Sequence, residues 1–316
     1  MPSYSGVWTL PAQYQAIGSG LWNPTIAPRG LFAGGNSPST TSINKIEIES
    51  TGNATSFGTL TSGGAVTGVS STIRAVFMDY DRLLYCTFST GGTATLFGFL
   101  TSAFTYTGGA SNSTRGIFAG GYNTNTSVIT ADIQYITIAT AGNATYFGAL
   151  SNAQYDRGGC ASSTRALFAA GRDSTVPTYY YDIQYVTIAT TGNSTTFGNL
   201  STNRFQVAAF SSSTRACFAG GRNSTGTAQS TIDYVTIATT GNATNFGNLV
   251  TAVNEVPTCG CSSSTRGVVG GGNAGSSTSS IQYVTIASVG NATSFGNLTS
   301  ARVNTGAVSN NGGGLQ

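Results

Sequence analysis

One stretch of the chain concentrates side chains that are suited to binding a polar ligand. After Arg172 and Asp173 come five other residues and then three consecutive tyrosines. Tyrosine rings can stack on sugar rings, while arginine and aspartate can hydrogen-bond to hydroxyl groups. We therefore predict a ligand-binding loop surface, and the alternative is that these segments are solvated loops. Its candidate residues are Tyr122, Arg172, Asp173, Tyr179, Tyr180, Tyr181 and Arg222.

The same sequence offers little for catalysis. It contains no histidine, which removes the commonest general base and the commonest metal ligand. Paired carboxylates for glycoside cleavage are the enzymatic alternative that remains. The ten acidic residues are scattered, however, and Asp132, Asp182 and Asp233 recur near the start of one repeated strand, which favours architecture. We predict that the protein is not an enzyme and has no catalytic residue, no metal and no cofactor.

Composition limits the classes of partner. Charged residues make up 7% of the chain and hydrophobic residues 39%, which indicates an ordered protein with a polar, weakly charged surface. The net charge is +3 without any basic run, so we expect no nucleic-acid partner. We expect no membrane insertion either, since the chain lacks a long apolar run and its start does not resemble a signal peptide. The five cysteines show no zinc-type spacing and are interpreted as buried apolar residues.

Two landmarks recur six times each along the chain. The first is an arginine that ends a Ser-Ser-Thr-Arg-like turn, at Arg29, Arg74, Arg115, Arg165, Arg215 and Arg266. The second is the phenylalanine of Ala-Thr-x-Phe-Gly-x-Leu, at Phe57, Phe97, Phe147, Phe197, Phe246 and Phe295. Because both landmarks keep the same phase, we predict six tandem structural units.

Each unit has the pattern of four short β-strands. Ile-Gln-Tyr-Val-Thr-Ile, at 133–138 and in later copies, alternates sides and is rich in β-branched and aromatic residues. The Thr-Gly-Asn that follows predicts a hairpin turn into the phenylalanine strand. Four antiparallel strands in 45 to 50 residues are typical of a propeller blade. The predicted fold class is therefore all-β, a β-propeller of six full four-stranded blades.

Repeated residues are most simply architectural. We predict that the repeated arginine joins neighbouring blades through strand-end carbonyls or aromatic stacking, the alternative being a ring of anion or carbohydrate sites. The glycosylation-like triplets at Asn53, Asn143, Asn193, Asn242 and Asn291 are interpreted as hairpin turns. The segments that follow each double glycine differ between units, and variable loops on one face of a rigid ring are where recognition is expected.

We predict a single domain over residues 1–316. Its repeat units are 26–60, 71–100, 112–150, 162–200, 212–249 and 263–298, and the termini 1–25 and 299–316 close the ring. Residues 6–10 and 305–309 each resemble one strand of a blade. They either share a reduced seventh blade or close a ring of six, and we favour six.

The order of landmarks resembles the kelch repeat over residues 26–302. The resemblance lies in the double glycine of Phe32-Ala33-Gly34-Gly35 and its copies, the following tyrosine strand, and a downstream arginine such as Arg204 or Arg302. Phenylalanine replaces the usual kelch tryptophan, and the second unit is degenerate. The resemblance implies a kelch-like β-propeller.

The sequences of the units are nearly identical to one another, and they resemble those of repeat proteins carried by tailed phages of marine cyanobacteria. That resemblance implies a virion-associated structural protein, located in the virion after synthesis in the host cytoplasm, as a tail, tail-fibre or capsid decoration. Its implied partners are other virion proteins and, through host attachment, host cell-surface polysaccharide; a homo-oligomer is also compatible. The alternatives are a cellular lectin or protein-interaction propeller and, less favoured, a polysaccharide-degrading enzyme.

Overall fold

The chain forms a ring of six antiparallel β-sheets around a central channel. A computed structural model describes residues 27–173, 179–256 and 258–315. The first blade contains Arg29–Ala33 (β1), Ser42–Glu47 (β2) and Thr55–Thr59 (β3). The second contains Thr67–Ser70 (β4), Arg74–Asp79 (β5), Arg82–Thr87 (β6) and Thr95–Phe99 (β8), while Gly92–Thr93 (β7), between β6 and β8 in the chain, joins the outer edge of the first blade. The third contains Phe104–Thr105 (β9), Gly108–Ser111 (β10), Arg115–Asn123 (β11), Val128–Thr137 (β12) and Thr145–Ala149 (β13).

The remaining three blades repeat the same four-strand plan. They contain Gly158–Ala161 (β14), Arg165–Arg172 (β15), Tyr179–Thr187 (β16) and Thr195–Asn199 (β17); Ala208–Ser211 (β18), Arg215–Ala219 (β19), Gln229–Thr236 (β20) and Thr244–Val253 (β21); and Gly260–Ser262 (β22), Arg266–Gly270 (β23), Ser280–Thr285 (β24) and Thr293–Asn297 (β25). A last strand, Gly306–Ser309 (β26), precedes a short 3-10 helix at Gly313–Leu315. The predicted all-β, six-bladed propeller is confirmed.

The C-terminal strand closes the ring. β26 pairs antiparallel with β1, with Leu31 opposite Val308, and so supplies the innermost strand of the first blade. The described residues therefore contain six blades and no seventh. Residues 1–26 lie outside the described part of the chain, and so does the strand predicted at 6–10.

The core lies between neighbouring blades, which pack face to face. Between the fourth and fifth blades, for example, Leu167 and Phe197 pack in one cluster with Phe218 and Ile237. The repeated phenylalanine also contacts the repeated tyrosine of its own blade edge-on, as in Tyr185 and Phe197, whose ring centroids are 5.9 Å apart. Each blade thus buries both faces, which is why the Ile-x-Tyr-x strands carry apolar residues on both sides.

Small residues are required at two positions of the ring. On the inner strands, a side chain on Gly159 would collide with the backbone of Gly109 in the preceding blade. Gly120 is the first residue of the double glycine in the third blade. It has a φ of 65°, and a side chain there would collide with the carbonyl of Gln154. Close backbone approach and a left-handed conformation therefore explain these glycines.

The antiparallel strands divide their connections between two faces of the ring. The turns between first and second strands, and those between third and fourth strands, lie on one face, which we call the turn face. The loops between second and third strands, and the connections from one blade to the next, lie on the opposite face, the loop face. The C-terminal residues Gly313 and Gly314 are buried against the inner-strand ends at Ser212 and Ser111, so they cover the channel on the turn face.

The second blade is irregular, as its degenerate sequence predicts. Its second and third strands are joined by the tight turn Tyr80–Asp81 where other blades carry a longer loop. β7 pairs in parallel with β3 of the first blade. Among the residues that the structure describes, no helix is long and apolar enough to cross a membrane.

Candidate functional site

The turn face is built from contacts that repeat from blade to blade. Arg165 donates from Nη1 to the carbonyls of Ile237 and Ala238 in the next blade, at 2.9 and 2.8 Å. Its guanidinium also lies over the ring of Tyr185, 4.7 Å from the centroid. The equivalent carbonyl contacts to the next blade are made by Arg29, Arg74, Arg115, Arg215 and Arg266. These arginines therefore join neighbouring blades.

The asparagines of the glycosylation-like triplets also join blades. The side-chain oxygen of Asn193 accepts a hydrogen bond from the backbone N–H of Ala149 in the preceding blade, at 3.0 Å. The same bond is made by Asn53, Asn143, Asn242 and Asn291. A role in the turn that extends across the blade boundary therefore accounts for the repeated asparagine.

The loop face, by contrast, differs in every blade and carries unusual backbone conformations. Nine non-glycine residues in the described ranges have φ between 52° and 64°; eight lie in the connections of this face, and Ala170 is buried within β15, near the end of that strand. They are Ser37, Tyr80, Tyr106, Ser127, Asp156, Ala170, Gln206, Glu255 and Asn304. Such conformations are uncommon for residues other than glycine and concentrate at functional sites.

An arginine–aromatic cluster occupies the loop face over the third to fifth blades. It consists of Tyr122, Tyr155, Arg172, Tyr179 and Phe205. The Arg172 guanidinium lies over two of these rings, 4.5 Å from the centroid of Tyr155 and 5.0 Å from that of Phe205. Tyr179 stacks on Phe205, with centroids 4.9 Å apart and planes inclined by 14°. Tyr122 lies at the far side, its centroid 6.4 Å from that of Tyr155.

A buried carboxylate holds this cluster in place. Arg172 donates from Nε to Oδ2 of Asp156 at 2.8 Å, and the same oxygen accepts from Nε2 of Gln206 at 3.3 Å. Asp156 is completely buried, and this burial raises the pKa of its carboxyl group to about 6 although Arg172 favours the charged form. Burial also raises the pKa of Tyr155. The arginine is therefore positioned by one charged partner and two aromatic rings.

The other predicted ligand-binding residues, Asp173, Tyr180, Tyr181 and Arg222, do not belong to the arginine–aromatic cluster. The Tyr180 hydroxyl donates to Asp173 at 2.8 Å, while Tyr181 keeps 44% of its surface exposed. The three consecutive tyrosines thus do not form one platform, because neighbouring side chains of a strand point to opposite sides. Arg222 lies outside the arginine–aromatic cluster, in a separate cleft.

That cleft lies on the loop face between the fifth and sixth blades. It has a volume of about 310 Å³ and is lined by Arg222, Asn254, Glu255, Asn273 and three small residues. The Arg222 guanidinium donates from Nε to the carbonyl of Gly226 at 2.9 Å. Asn273 donates from Nδ2 to Glu255 at 3.3 Å. The cleft can therefore present both a positive and a negative group to a ligand.

Sequence inspection missed one set of loop-face residues. Residues at one repeat position, in the connections that lead to the innermost strands of five blades, all differ: Tyr106, Asp156, Gln206, Glu255 and Asn304. Backbone bonds join neighbouring members of this set, as from the N–H of Gln206 to the carbonyl of Asp156 at 3.0 Å. The sequence does contain an indication of this set: the position varies between repeat units whose neighbouring landmarks are nearly identical.

Two of the scattered acids are tied to buried arginines. Asp233 and Arg204 form a fully buried ion pair at 2.9 Å, and Asp182 contacts the fully buried Arg157 at 3.4 Å. Arg204 also donates to the carbonyls of Phe218 and Thr231. These acids therefore help to hold the connection that carries each arginine against the blade that follows it.

The described cysteines and acids offer no metal centre. Within the described ranges, no group of three or more Cys, Asp or Glu side chains is placed to hold a metal ion. All five cysteines are free and buried, as predicted. Burial raises the pKa of four thiols, those of Cys86, Cys160, Cys259 and Cys261, to about 12.

Fold and site together define the class of this protein as a six-bladed β-propeller, consistent with a kelch-like repeat protein and compatible with a binding or interaction scaffold. Comparison with protein-family models and with curated proteins yields no match.

Proposed function

We propose that this protein is a non-catalytic structural component of a tailed-phage virion that serves as a binding and assembly scaffold. The observation that carries the proposal is the difference between the two faces. The turn face repeats the same arginine and asparagine contacts from blade to blade, whereas the loop face carries a different set of side chains in each blade. Repetition suits architecture, and variation on a rigid frame suits recognition.

The contacts of the acidic residues support a role without catalysis. Asp182 and Asp233 each lie within ion-pair distance of a fully buried arginine. A carboxylate paired in this way is a poor general base because its charge is already compensated. Recognition through shape and polar groups needs none of these acids to be free.

The amino-acid sequence of the repeats supports the proposed place in a virion. Units such as Thr-Ile-Ala-Thr-Thr-Gly-Asn-Ala-Thr resemble repeat proteins of tailed phages, and the surface carries few charges. In this role the ring would be a tail, tail-fibre or capsid decoration bound to other virion proteins. Its loop face would contact host cell-surface polysaccharide during attachment.

Localisation of the protein in purified particles tests this proposal. Gradient-purified virions of a phage that encodes the chain should contain it at a constant ratio to the major capsid protein, measured by quantitative mass spectrometry. Immunogold labelling should then place it on the tail, fibres or capsid. Its absence from particles, with the protein abundant in the infected cell, would overturn the virion assignment.

A matched pair of variants tests which face recognises the host. Arg172→Ala, on the loop face, should reduce adsorption of particles to host cells, while Thr190→Ala, at an exposed position of a turn-face hairpin, should leave adsorption unchanged. Equal adsorption of both variants and the wild type would contradict recognition by the arginine–aromatic cluster. Particle composition is measured in parallel so that failed assembly is recognised.

A further inference from the structure

On the loop face, two equivalent positions carry a different combination of charged and neutral residues in each of three successive blades. In the fourth blade Arg172 meets Asp156, and the two form an ion pair. The corresponding pair in the fifth blade is Arg222 with Gln206, so the cation has no acidic partner there. In the sixth blade it is Asn273 with Glu255, so the anion has no basic partner. One unmatched positive group and one unmatched negative group therefore occupy adjacent blades.

Both unmatched groups line the cleft between the fifth and sixth blades. Within the described part of the chain, Arg222 and Glu255 lie more than 4 Å apart and form no ion pair with each other or with another residue. Nε of Arg222 is bound to Gly226, whereas Nη1 and Nη2 have no hydrogen-bond partner among the described residues. The side chain of Asn254 is 8% exposed and its oxygen has no partner. The cleft thus holds several unused donors and acceptors.

The walls of the cleft are held by the backbone. The N–H of Asn254 donates to the carbonyl of Asn273 at 3.0 Å, and the N–H of Asn273 donates back at 2.8 Å. On the other wall, Arg222 forms backbone bridges with Phe205 and Ala228. The polar groups therefore sit on a preformed frame, which lowers the entropic cost of binding.

The chemistry of these groups selects the ligand. A hydroxyl group both donates and accepts, so adjacent hydroxyls can accept from the two terminal nitrogens of Arg222 while donating to Glu255. An anion would be repelled by Glu255 and a cation by Arg222, so the cleft favours a ligand without net charge. A volume of about 310 Å³ lies at the lower end of the range for small-molecule sites, which suits a small ligand.

We propose that this cleft binds a neutral saccharide of one or two sugar units. The proposal rests on the function proposed above and assigns its ligand class to one place on the loop face. Phe205, which bridges to Arg222 through the backbone, lies under Tyr179 in the arginine–aromatic cluster. A longer glycan seated in the cleft would extend over that aromatic surface.

Binding of defined saccharides tests the cleft. The purified full chain is applied to an array of neutral and acidic mono- and disaccharides, and the strongest neutral ligand is titrated by calorimetry. Arg222→Ala and Glu255→Gln should each weaken its binding at least tenfold. The matched control is Arg82→Ala, which removes another loop-face arginine, in the second blade, and should leave binding unchanged. Thermal unfolding checks that every variant is folded.

The outcomes separate this inference from the proposed function. Unchanged affinity in folded Arg222→Ala and Glu255→Gln variants, or loss of binding only in Arg172→Ala, would overturn the cleft as the site. Binding of acidic sugars alone, or of no saccharide by a protein that is present in virions, would overturn the ligand class while the scaffold role stands. Cleft-dependent sugar binding by a protein absent from virions would support the cleft and overturn the virion role.

Discussion

Nε of Arg172 lies 2.8 Å from Oδ2 of Asp156, and the carboxylate is completely buried beneath the loop face. The pair links a connection between two blades to the variable loop of the fourth blade. Because the arginine also lies over Tyr155 and Phe205, one buried negative charge positions most of the arginine–aromatic cluster.

The burial of Asp156 predicts a pH-dependent stability. Its pKa is about 6 in the folded protein against an ordinary value of 3.8, so between these pH values the folded state binds more protons than the unfolded state. Below about pH 4 this group makes its full contribution to the free energy of unfolding. As the pH rises through about 6 that contribution is lost, and the free energy of unfolding falls by about 3 kcal/mol. Urea unfolding from pH 4 to pH 7 should show this decline in the wild type and not in Asp156→Asn.

A second acid provides the control for that experiment. Asp132→Asn, at an exposed position, should keep the decline of the wild type. The same decline in Asp156→Asn as in the wild type would show that another group is responsible.

The blade-joining arginines should contribute strongly to stability. Arg165→Ala removes two charge-assisted hydrogen bonds to the next blade and the contact with Tyr185, so the free energy of unfolding should fall by about 3 kcal/mol. Arg82→Ala removes one exposed bond to the Thr61 hydroxyl and should cost less than about 0.5 kcal/mol. Urea unfolding measures both, and equal losses would contradict the connector role.

The buried pair of Arg204 and Asp233 should be sensitive to the loss of either charge. Asp233→Ala leaves the fully buried guanidinium without its counter-charge and should lower the free energy of unfolding by about 3 to 5 kcal/mol. The double variant with Arg204→Met should recover part of this loss, since no unpaired charge remains. A double variant less stable than Asp233→Ala would indicate that the carbonyl contacts of Arg204 outweigh the ion pair.

Removal of the C-terminal strand should open the ring. Deleting residues 306–316 removes the innermost strand of the first blade and exposes the edge of β1, so we expect a loss of at least about 4 kcal/mol. Val308→Asp places a charge in the buried interface opposite Leu31 and should act in the same direction. Thermal unfolding is the measurement, with deletion of residues 313–316, which spares β26, as the milder comparison. Full-length stability in all three proteins would contradict closure by this strand.

Much of the architecture was predictable because its signals are local or repeated. Alternation in Ile-Gln-Tyr-Val-Thr-Ile indicates a strand without knowledge of its neighbours, and six copies of two landmarks indicate six blades. The repeated arginine could be assigned to architecture for the same reason. Its partners could not be identified, since Arg165 bonds to carbonyls 72 and 73 residues away.

The candidate site was predictable only in part. Arg172 and Tyr179 attract attention because charged and aromatic residues are concentrated there, and both belong to the cluster. Tyr155 and Phe205 lie in connections 50 residues apart and have no such local signal. The three consecutive tyrosines looked like one surface, but strand geometry and the contacts of each ring separate them.

By itself the sequence determined the all-β class, the number of units and the strands within each unit, because hydrophobic alternation and turn residues act over a few neighbouring positions. Only the tertiary structure decided that β26 completes the first blade, that Asp156 is buried beside Arg172, and that Arg222 and Glu255 face one cleft. Ring closure brings together residues from different units, and the burial that sets their pKa values and pairing exists only after the blades have packed.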